Sequence, residues 1–483
     1  RKTGDKPRTE TYKFSTRTCE VNLDVRFKTG DDEGSAEVTF SYPGWKDGKV
    51  RPMTYPFQIQ PQPKMVIPPV VPTSKELQTT LPHVYDDAST VQINYNADGS
   101  KLFGVTYYQH NVVQIWDVAT RKELRKIELQ RGPRSAMEIA FLSPDWNILY
   151  SWETREKSIT KLKDARNQVY IKENGNIKRW DMTSGKQLLD FESKSGVATT
   201  SLWLSPDGTK LISDDIHSWF REEHPERTAT LIDTATGHRT PWPINAAYNT
   251  TLGTPDSKHV LQTTYSKAEK SMQLQLLGLS DATTVKAVSL TNPYKDTRFQ
   301  LVAISQDGKL VAVNGSSPTE KKSTTLFFSV PDFQAMGQFE MEGRAGFGSA
   351  EHGHFTPDGK QYVVVDHAKI LHIYDIATKK VVRTLKLDGA GYKNAISTDG
   401  HWFAMGYMKD KSPEQAGYET IKANQMGQGR VVLVNLKDEK IKPITLVAPR
   451  GDVGAVAFRP DGKQLALGAV GGIHLFDLSG LLH

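Results

Sequence analysis

A short phrase returns eight times in this chain: an apolar strand, a tight turn centred on an aspartate, then a second strand. The turns read Ala97-Asp98-Gly99, Pro144-Asp145-Trp146, Pro206-Asp207-Gly208, Pro255-Asp256-Ser257, Gln306-Asp307-Gly308, Pro357-Asp358-Gly359, Thr398-Asp399-Gly400 and Pro460-Asp461-Gly462. Repetition at a period of about 50 residues means units that cannot bury their apolar faces alone and must stack on their neighbours. Within each unit the order is strand, Asp turn, strand, variable loop, third strand, short turn and fourth strand. The third strand is plainest in Val113 to Asp117, Ile177 to Asp181, Leu371 to Asp375 and Ile473 to Asp477. Four strands per unit at this spacing describe a propeller blade.

The Ser-Pro-Asp-Gly phrase at Ser205 to Gly208, the Trp-Asp pairs at Trp116-Asp117 and Trp180-Asp181, and Thr-Ser-Gly-Lys at Thr183 to Lys186 carry a likeness to known proteins. The chain resembles the WD-repeat and related bacterial YVTN-type β-propellers over roughly residues 75–483. That family's Gly-His dipeptide is mostly missing, and most intervals exceed its usual span of about 40–45 residues. Its hydrogen-bond tetrad is therefore in doubt, but not the fold. The resemblance implies that the first-to-second and third-to-fourth strand loops share one face, and the other two loop classes the opposite face.

Closure sets the blade number. The last unit stops at its third strand, since only Leu478 to His483 follow Asp477. Lys75 to Leu81 matches Lys122 to Glu128, a fourth strand of the first complete unit. Residues 75–82 are thus expected to supply the missing outer strand and leave no open seam. The expected fold is all-β: an eight-bladed β-propeller closed by an N-terminal strand, preceded by a small β-hairpin-containing unit. The expected boundaries are 1–60 for that unit, read either as a small docking sheet or as the tail of a truncated domain, 61–74 for a Pro-rich linker and 75–483 for the propeller.

In the first segment Cys19, Val21, Leu23, Val25 and Phe27 alternate with polar residues, as do Ala36, Val38, Phe40 and Tyr42 after a polar turn, which reads as a hairpin. A third strand near Val50 to Gln60 is confined to an edge by Pro52 and Pro56.

Composition narrows the function classes. No apolar run approaches the ~18 residues of a membrane-spanning helix. A net charge of +6 from 61 basic and 55 acidic residues gives no strong nucleic-acid signal. Cys19 is the only cysteine, so there is neither an intrachain disulfide nor a thiolate cluster. The start at Arg1, with no signal-like segment, reads as a chain lacking an upstream piece. The compartment is left unknown, with an extracytoplasmic or cell-envelope setting favoured over the cytoplasm.

The Asp-turn face offers little material for a site, whereas insertions near Glu153 to Asn176, Ser213 to Arg227, Asn314 to Ser323 and Tyr407 to Gly429 all project from the other face. Trp219, Phe220, Arg221, Tyr407, Met408 and Tyr418 fall in these insertions and are the expected anchors for a protein or peptide partner. The interblade connections on that face carry Arg131, Arg134, Arg298, Arg344 and Arg450, a rim able to collect an anionic ligand, though acidic neighbours such as Asp86, Asp87 and Asp452 favour a solvated mixed-charge rim.

Asp214, Asp215, His217, Glu222, Glu223 and His224 are the densest cluster of ligand-type residues, but without EF-hand or zinc spacing, so no metal is assigned. His352 and His354 share a strand face by spacing, with a structural role favoured. No nucleophile elbow or phosphate loop is present, and Asp233 to Gly237 with Trp242 only faintly resembles the blade motif of quinone-dependent dehydrogenases. The balance leans away from an enzyme and assigns no catalytic residue and no cofactor. The expected function is a non-enzymatic scaffold that binds protein or peptide on the loop-rich face. The alternative is an enzyme or sensor taking a small anionic ligand or quinone-type cofactor in the central channel.

Overall fold

The computed structural model describes the strand backbones of residues 8–16, 19–29, 33–41 and 52–58, and residues 73–85, 88–107, 111–129, 140–154, 160–163, 169–172, 175–191, 198–216, 227–242, 251–266, 271–291, 297–317, 319–320, 322–342, 353–366, 368–389, 391, 393–408, 429–449 and 453–481. Residues 1–70 form one compact unit and 71–483 another.

The first unit is an antiparallel sheet in chain order: Arg8–Thr16, Cys19–Thr29, Glu33–Ser41 and Pro52–Gln58. Pro52 and Pro56 lie on an edge strand, where a missing backbone N–H costs no ladder bond. The expected hairpin is the central pair, with Val25 opposite Val38 and Leu23 opposite Phe40. The strand Arg8–Thr16 was not expected, because its sequence RTETYKFST offers only Tyr12 and Phe14 as an apolar stripe.

The second unit is a ring of eight four-stranded antiparallel blades. Blade 1 comprises Ser89–Tyr95, Lys101–Tyr107, Asn111–Asp117 and Glu123–Leu129; blade 2, Ala140–Leu142, Ile148–Thr154, Gly175–Asp181 and Gln187–Phe191. Blade 3 comprises Ala198–Leu204, Lys210–Ile216, Arg227–Asp233 and Arg239–Trp242; blade 4, Thr251–Gly253, His259–Ser266, Ser271–Gly278 and Thr284–Ser289. Blade 5 comprises Arg298–Ile304, Leu310–Ser317, Lys322–Ser329 and Ala335–Glu342; blade 6, His354–Phe355, Gln361–Val365, Ile370–Asp375 and Lys380–Lys386. Blade 7 comprises Lys393–Ile396, Trp402–Met408, Gly429–Asn435 and Ile444–Val447. Blade 8 holds Ala455–Phe458, Gln464–Ala469 and Gly472–Asp477, and its fourth strand is Leu77–Pro82.

That closing strand runs antiparallel to Gly472–Asp477 with Leu81 opposite Ile473 and Thr80 opposite His474. Thr80 Oγ1 and His474 Nδ1 are 2.8 Å apart across the seam. Just before it, Ser74 bonds Val447 of blade 7 in both directions, by N to O at 3.2 Å and by Oγ from the Val447 N at 2.9 Å. Pairing the chain's two ends in one sheet removes the edges that an open propeller would expose.

The core lies between blades, because each sheet buries both faces. Phe103, Ile115, Leu149, Ile177 and Leu211 join blades 1, 2 and 3. Ile212, Trp242 and Val260 join 3 to 4, and Leu261, Leu276, Val311 and Val313 join 4 to 5. Phe327, Tyr362 and Tyr374 join 5 to 6, with Phe327 stacked on Tyr374 at 4.7 Å between centroids. Val363, Ile373, Phe403 and Met405 join 6 to 7; Leu433, Leu465 and Phe476 join 7 to 8; Ile93, Trp116 and Ile473 join 8 to 1. Each buried aliphatic or aromatic side chain of this kind contributes about 1.5–3 kcal/mol relative to exposure. The apolar seams therefore run the whole way around the ring.

Candidate binding faces of the propeller

Antiparallel order places the first-to-second and third-to-fourth strand turns at one end of every blade, and the second-to-third connections at the other. The two rims differ in how their polar groups are used.

On the turn rim the aspartates are spent on their own turns. Asp98 Oδ1 accepts the Ser100 N–H at 2.8 Å, Asp207 that of Thr209 at 3.0 Å, and Asp399 that of His401 at 2.9 Å. In six blades a Ser or Thr two residues earlier, such as Ser143 or Thr356, also donates its hydroxyl to the aspartate. Hydrogen bonds from Ser100 hold Asp98 below the usual carboxylate range, and bonds from Ser143 and Asn147 do the same for Asp145. The aspartates that end the third strands behave alike: Asp117 caps Thr120 N at 2.7 Å and Asp181 caps Thr183 N at 2.7 Å. Such carboxylates serve as acceptors within their own turns, which favours their ionised form.

The turns also tile. A Cβ added to Gly208 would sit 2.9 Å from Pro144 Cδ of the preceding blade; at Gly308 it would sit 3.1 Å from Pro255 Cδ, and at Gly400 3.1 Å from Pro357 Cδ. At the seam, Pro460 Cδ lies 3.2 Å from the Cβ position of Gly99. These glycines have φ between +70° and +74°, so the residue permits both the left-handed turn and the close approach. After Pro206 the equivalent residue is Ser257, whose Oγ accepts the Asp207 N–H at 3.0 Å. Where the preceding turn lacks proline, the glycine that follows is left uncovered, although the Thr398 hydroxyl still donates to Pro460 O of the next turn. Nothing lies within 4 Å of the Cβ position at Gly359 or Gly462, which follow Gln306 and Thr398. Trp146 follows Ala97 and fills its place edge-on to Phe103 at 6.3 Å.

The opposite rim is uneven. The second-to-third connections are short in blades 1, 4, 5, 6 and 8 and long at 155–174, 217–226 and 409–428 in blades 2, 3 and 7. The blade 2 connection contains an extra hairpin, Thr160–Lys163 paired with Val169–Lys172 as a separate two-stranded sheet. The hairpin lies inside the stretch that the sequence marks only as an insertion, Glu153 to Asn176.

Two expectations need correction. The span Asn314 to Ser323 is not an insertion: Leu310–Ser317 and Lys322–Ser329 extend through it. Asn314, Ser317 and Ser323 are buried between blades, so polar composition there mimicked a loop. Tyr407 is not an exposed anchor. It lies in a strand opposite Arg430, is 3% exposed, and its ring covers Gly389, whose added Cβ would meet it at 1.9 Å. Burial raises its hydroxyl above the usual phenol range.

Of the other expected anchors, Met408 ends the same strand, opposite Gly429. Trp219, Phe220, Arg221 and Tyr418 lie outside the described residues, as do Arg131, Arg134, Arg344 and Arg450 of the basic rim. Arg298 begins a first strand, opposite Ser316. Asp214 and Asp215 occupy consecutive strand positions, opposite Ala229 and Thr228. His217, Glu222, Glu223, His224 and His352 are outside the described residues, among which no group of three metal-type ligands occurs. Asp233 caps Thr236 N at 2.9 Å and pairs with Lys210 Nζ at 2.9 Å, and Trp242 Nε1 donates to Gln262 Oε1 at 3.3 Å, so both serve the blade.

One histidine given a structural role from its spacing stands at an opening of the fold. His354, in the first strand of blade 6, lines a recess with Gln306 and Ile396, and its Nε2 is 2.5 Å from Asn394 Oδ1 of blade 7. Its signal in the sequence was the spacing to His352, which says nothing of the neighbours it meets from other blades.

No family model matches the chain, and no curated protein matches it in sequence. Solved structures do match in shape. The Dos1 propeller is 13% identical, with 81% of this chain and 93% of that one covered at a TM-score of 0.54. The C-terminal WD40 domain of Sif2 is 12% identical, with 85% and 99% covered at 0.53. Hydrazine synthase of Kuenenia stuttgartiensis is 14% identical over 82% and 98% at 0.45, a level that carries no argument. The chain therefore has the β-propeller fold that the Sif2 WD40 domain also has.

Proposed function

We propose that this protein is a non-enzymatic scaffold that holds a protein or peptide partner on the rim bearing the second-to-third strand connections. The carrying observation is the asymmetry of the two rims. One is closed upon itself, its carboxylates bonded within their turns and its prolines set against the next blade's glycines. The other lengthens in blades 2, 3 and 7 and adds a hairpin. Extended connections on a rigid ring are where recognition residues concentrate. Trp219, Phe220, Arg221, Met408 and Tyr418 are the anchors assigned, aromatic and Arg side chains being the commonest interface hot spots. Tyr407 supports this rim from within the core.

The test is affinity recovery of partners by the full chain, compared with a Trp219→Ala/Phe220→Ala/Tyr418→Ala variant of equal melting temperature. The reading expects a partner enriched by the wild type and reduced at least tenfold by the variant. Equal recovery by both would overturn it.

A further inference from the structure

The interrupted tiling of the turn rim coincides with a recess. Five turns carry proline before the aspartate, and four of these prolines pack on a glycine of the next turn. Blade 5 carries Gln306 instead, and the Gly359 that follows stands open. In that sector a recess of about 330 Å³ opens between the first strands of blades 5, 6 and 7. Ala303, Phe355, Pro357 and Ile396 are among its apolar walls, and Gln306 and His354 are its side-chain hydrogen-bonding groups. Among the described residues, no Asp, Glu, Lys or Arg lines it.

The chemistry of the two polar groups follows from their surroundings. Asn394 Oδ1, 2.5 Å from His354 Nε2, can only accept, so Nε2 carries the proton and Nδ1 is left as an acceptor. Burial lowers the affinity of this imidazole for a second proton, against a smaller opposing effect of the Asn394 bond. The Gln306 carboxamide stands exposed at the lip and both donates and accepts. The volume is near the lower end for small-molecule sites, enough for one or two rings.

We propose that this recess binds an uncharged aromatic or heteroaromatic ring carrying one N–H or O–H donor, with the ring against Phe355, Pro357 and Ile396 and the donor on His354. A charged ligand finds no counter-ion there and loses its hydration on entry. The site is on the turn rim and independent of partner binding on the other. The same ring chemistry is supplied by a free small molecule or by a Trp or Tyr side chain of a peptide.

Saturation-transfer NMR titration of the full chain tests it, with indole and phenol as probes and benzoate and benzylamine as charged comparators. Indole is expected to saturate with a Kd on the order of 1 mM, as suits a ligand of this size, and the charged probes to bind at least tenfold more weakly. Gln306→Pro restores the phrase of five sister turns, removes the carboxamide and closes the gap over Gly359; Ala303→Leu fills the recess from below. Either should weaken indole tenfold or more, and the first keeps the test valid if the second fails to fold. A capped Gly-Trp-Gly peptide that competes with indole assigns the source to a partner's side chain, and its exclusion assigns it to a free ring compound. No saturable indole signal, or one unchanged in Gln306→Pro, would overturn the proposal.

Discussion

Replacing a turn glycine by alanine should cost very different amounts at two positions that look alike in sequence. Gly208 and Gly462 both follow Pro-Asp, with φ of +74° and +71°. Forcing alanine into a left-handed conformation costs about 1–2 kcal/mol at either position. At Gly462 nothing else changes, since no atom lies within 4 Å of the new methyl. At Gly208 the methyl meets Pro144 Cδ at 2.9 Å, inside van der Waals contact, and must displace the neighbouring turn. Overpacking of this kind adds about 1–3 kcal/mol. Urea unfolding should therefore show Gly208→Ala less stable than Gly462→Ala by at least about 1 kcal/mol. In a Pro144→Ala background that excess should vanish, a coupling of similar size between residues 64 apart in sequence (208 − 144). Equal losses at the two glycines, or no coupling to Pro144, would refute the tiling.

Three further outcomes follow from buried groups. Burial lowers the His83 pKa to about 4, its Ala88 hydrogen bond opposing, and unfolding returns it to 6.5. The unfolded chain thus takes up a proton between those values, so stability should fall by about 2–3 kcal/mol from pH 7.5 to 4.5. A pH series of urea midpoints should show this fall weakened in His83→Gln; an unchanged slope would exclude His83 as its source. Tyr362 is fully buried and its hydroxyl has no hydrogen-bond partner, so Tyr362→Phe should be neutral or stabilising by up to about 1 kcal/mol in the same assay. A Cβ at Gly472 would meet Thr80 Cγ2 at 2.6 Å and Leu81 O at 2.7 Å. Gly472→Val should therefore expel the closing strand, seen as rapid deuterium exchange confined to Leu77–Pro82 and its partner strand.

The blade count and the closing strand were legible because they rest on repetition: Lys75 to Leu81 copies a fourth-strand sequence and pairs as one. Edge confinement of Pro52 and Pro56 was legible for the same kind of reason, a missing donor. The loop boundaries were not. Near the loop-rich rim the blades pack polar faces together, so Asn314, Ser316 and Ser323 looked like loop residues though each is buried. Tyr407 was misread because its ring covers Gly389, which belongs to the connection leading into the blade. The tiling stayed hidden because it joins a proline of one unit to a glycine of the next, a relation that appears only when blades are set side by side. His354 acquires its neighbours from three blades, and no local motif announces such a meeting.

The central claim is that the protein or peptide partner of the proposed function is held on the rim bearing the second-to-third strand connections. In a Cys19→Ser background, a polyethylene glycol chain attached at Trp219→Cys should block recovery of the partner. The same chain at Lys309→Cys, on the turn rim where the Lys309 side chain is 76% exposed, should leave recovery unchanged. Block at Lys309 with full recovery at Trp219 would contradict the claim.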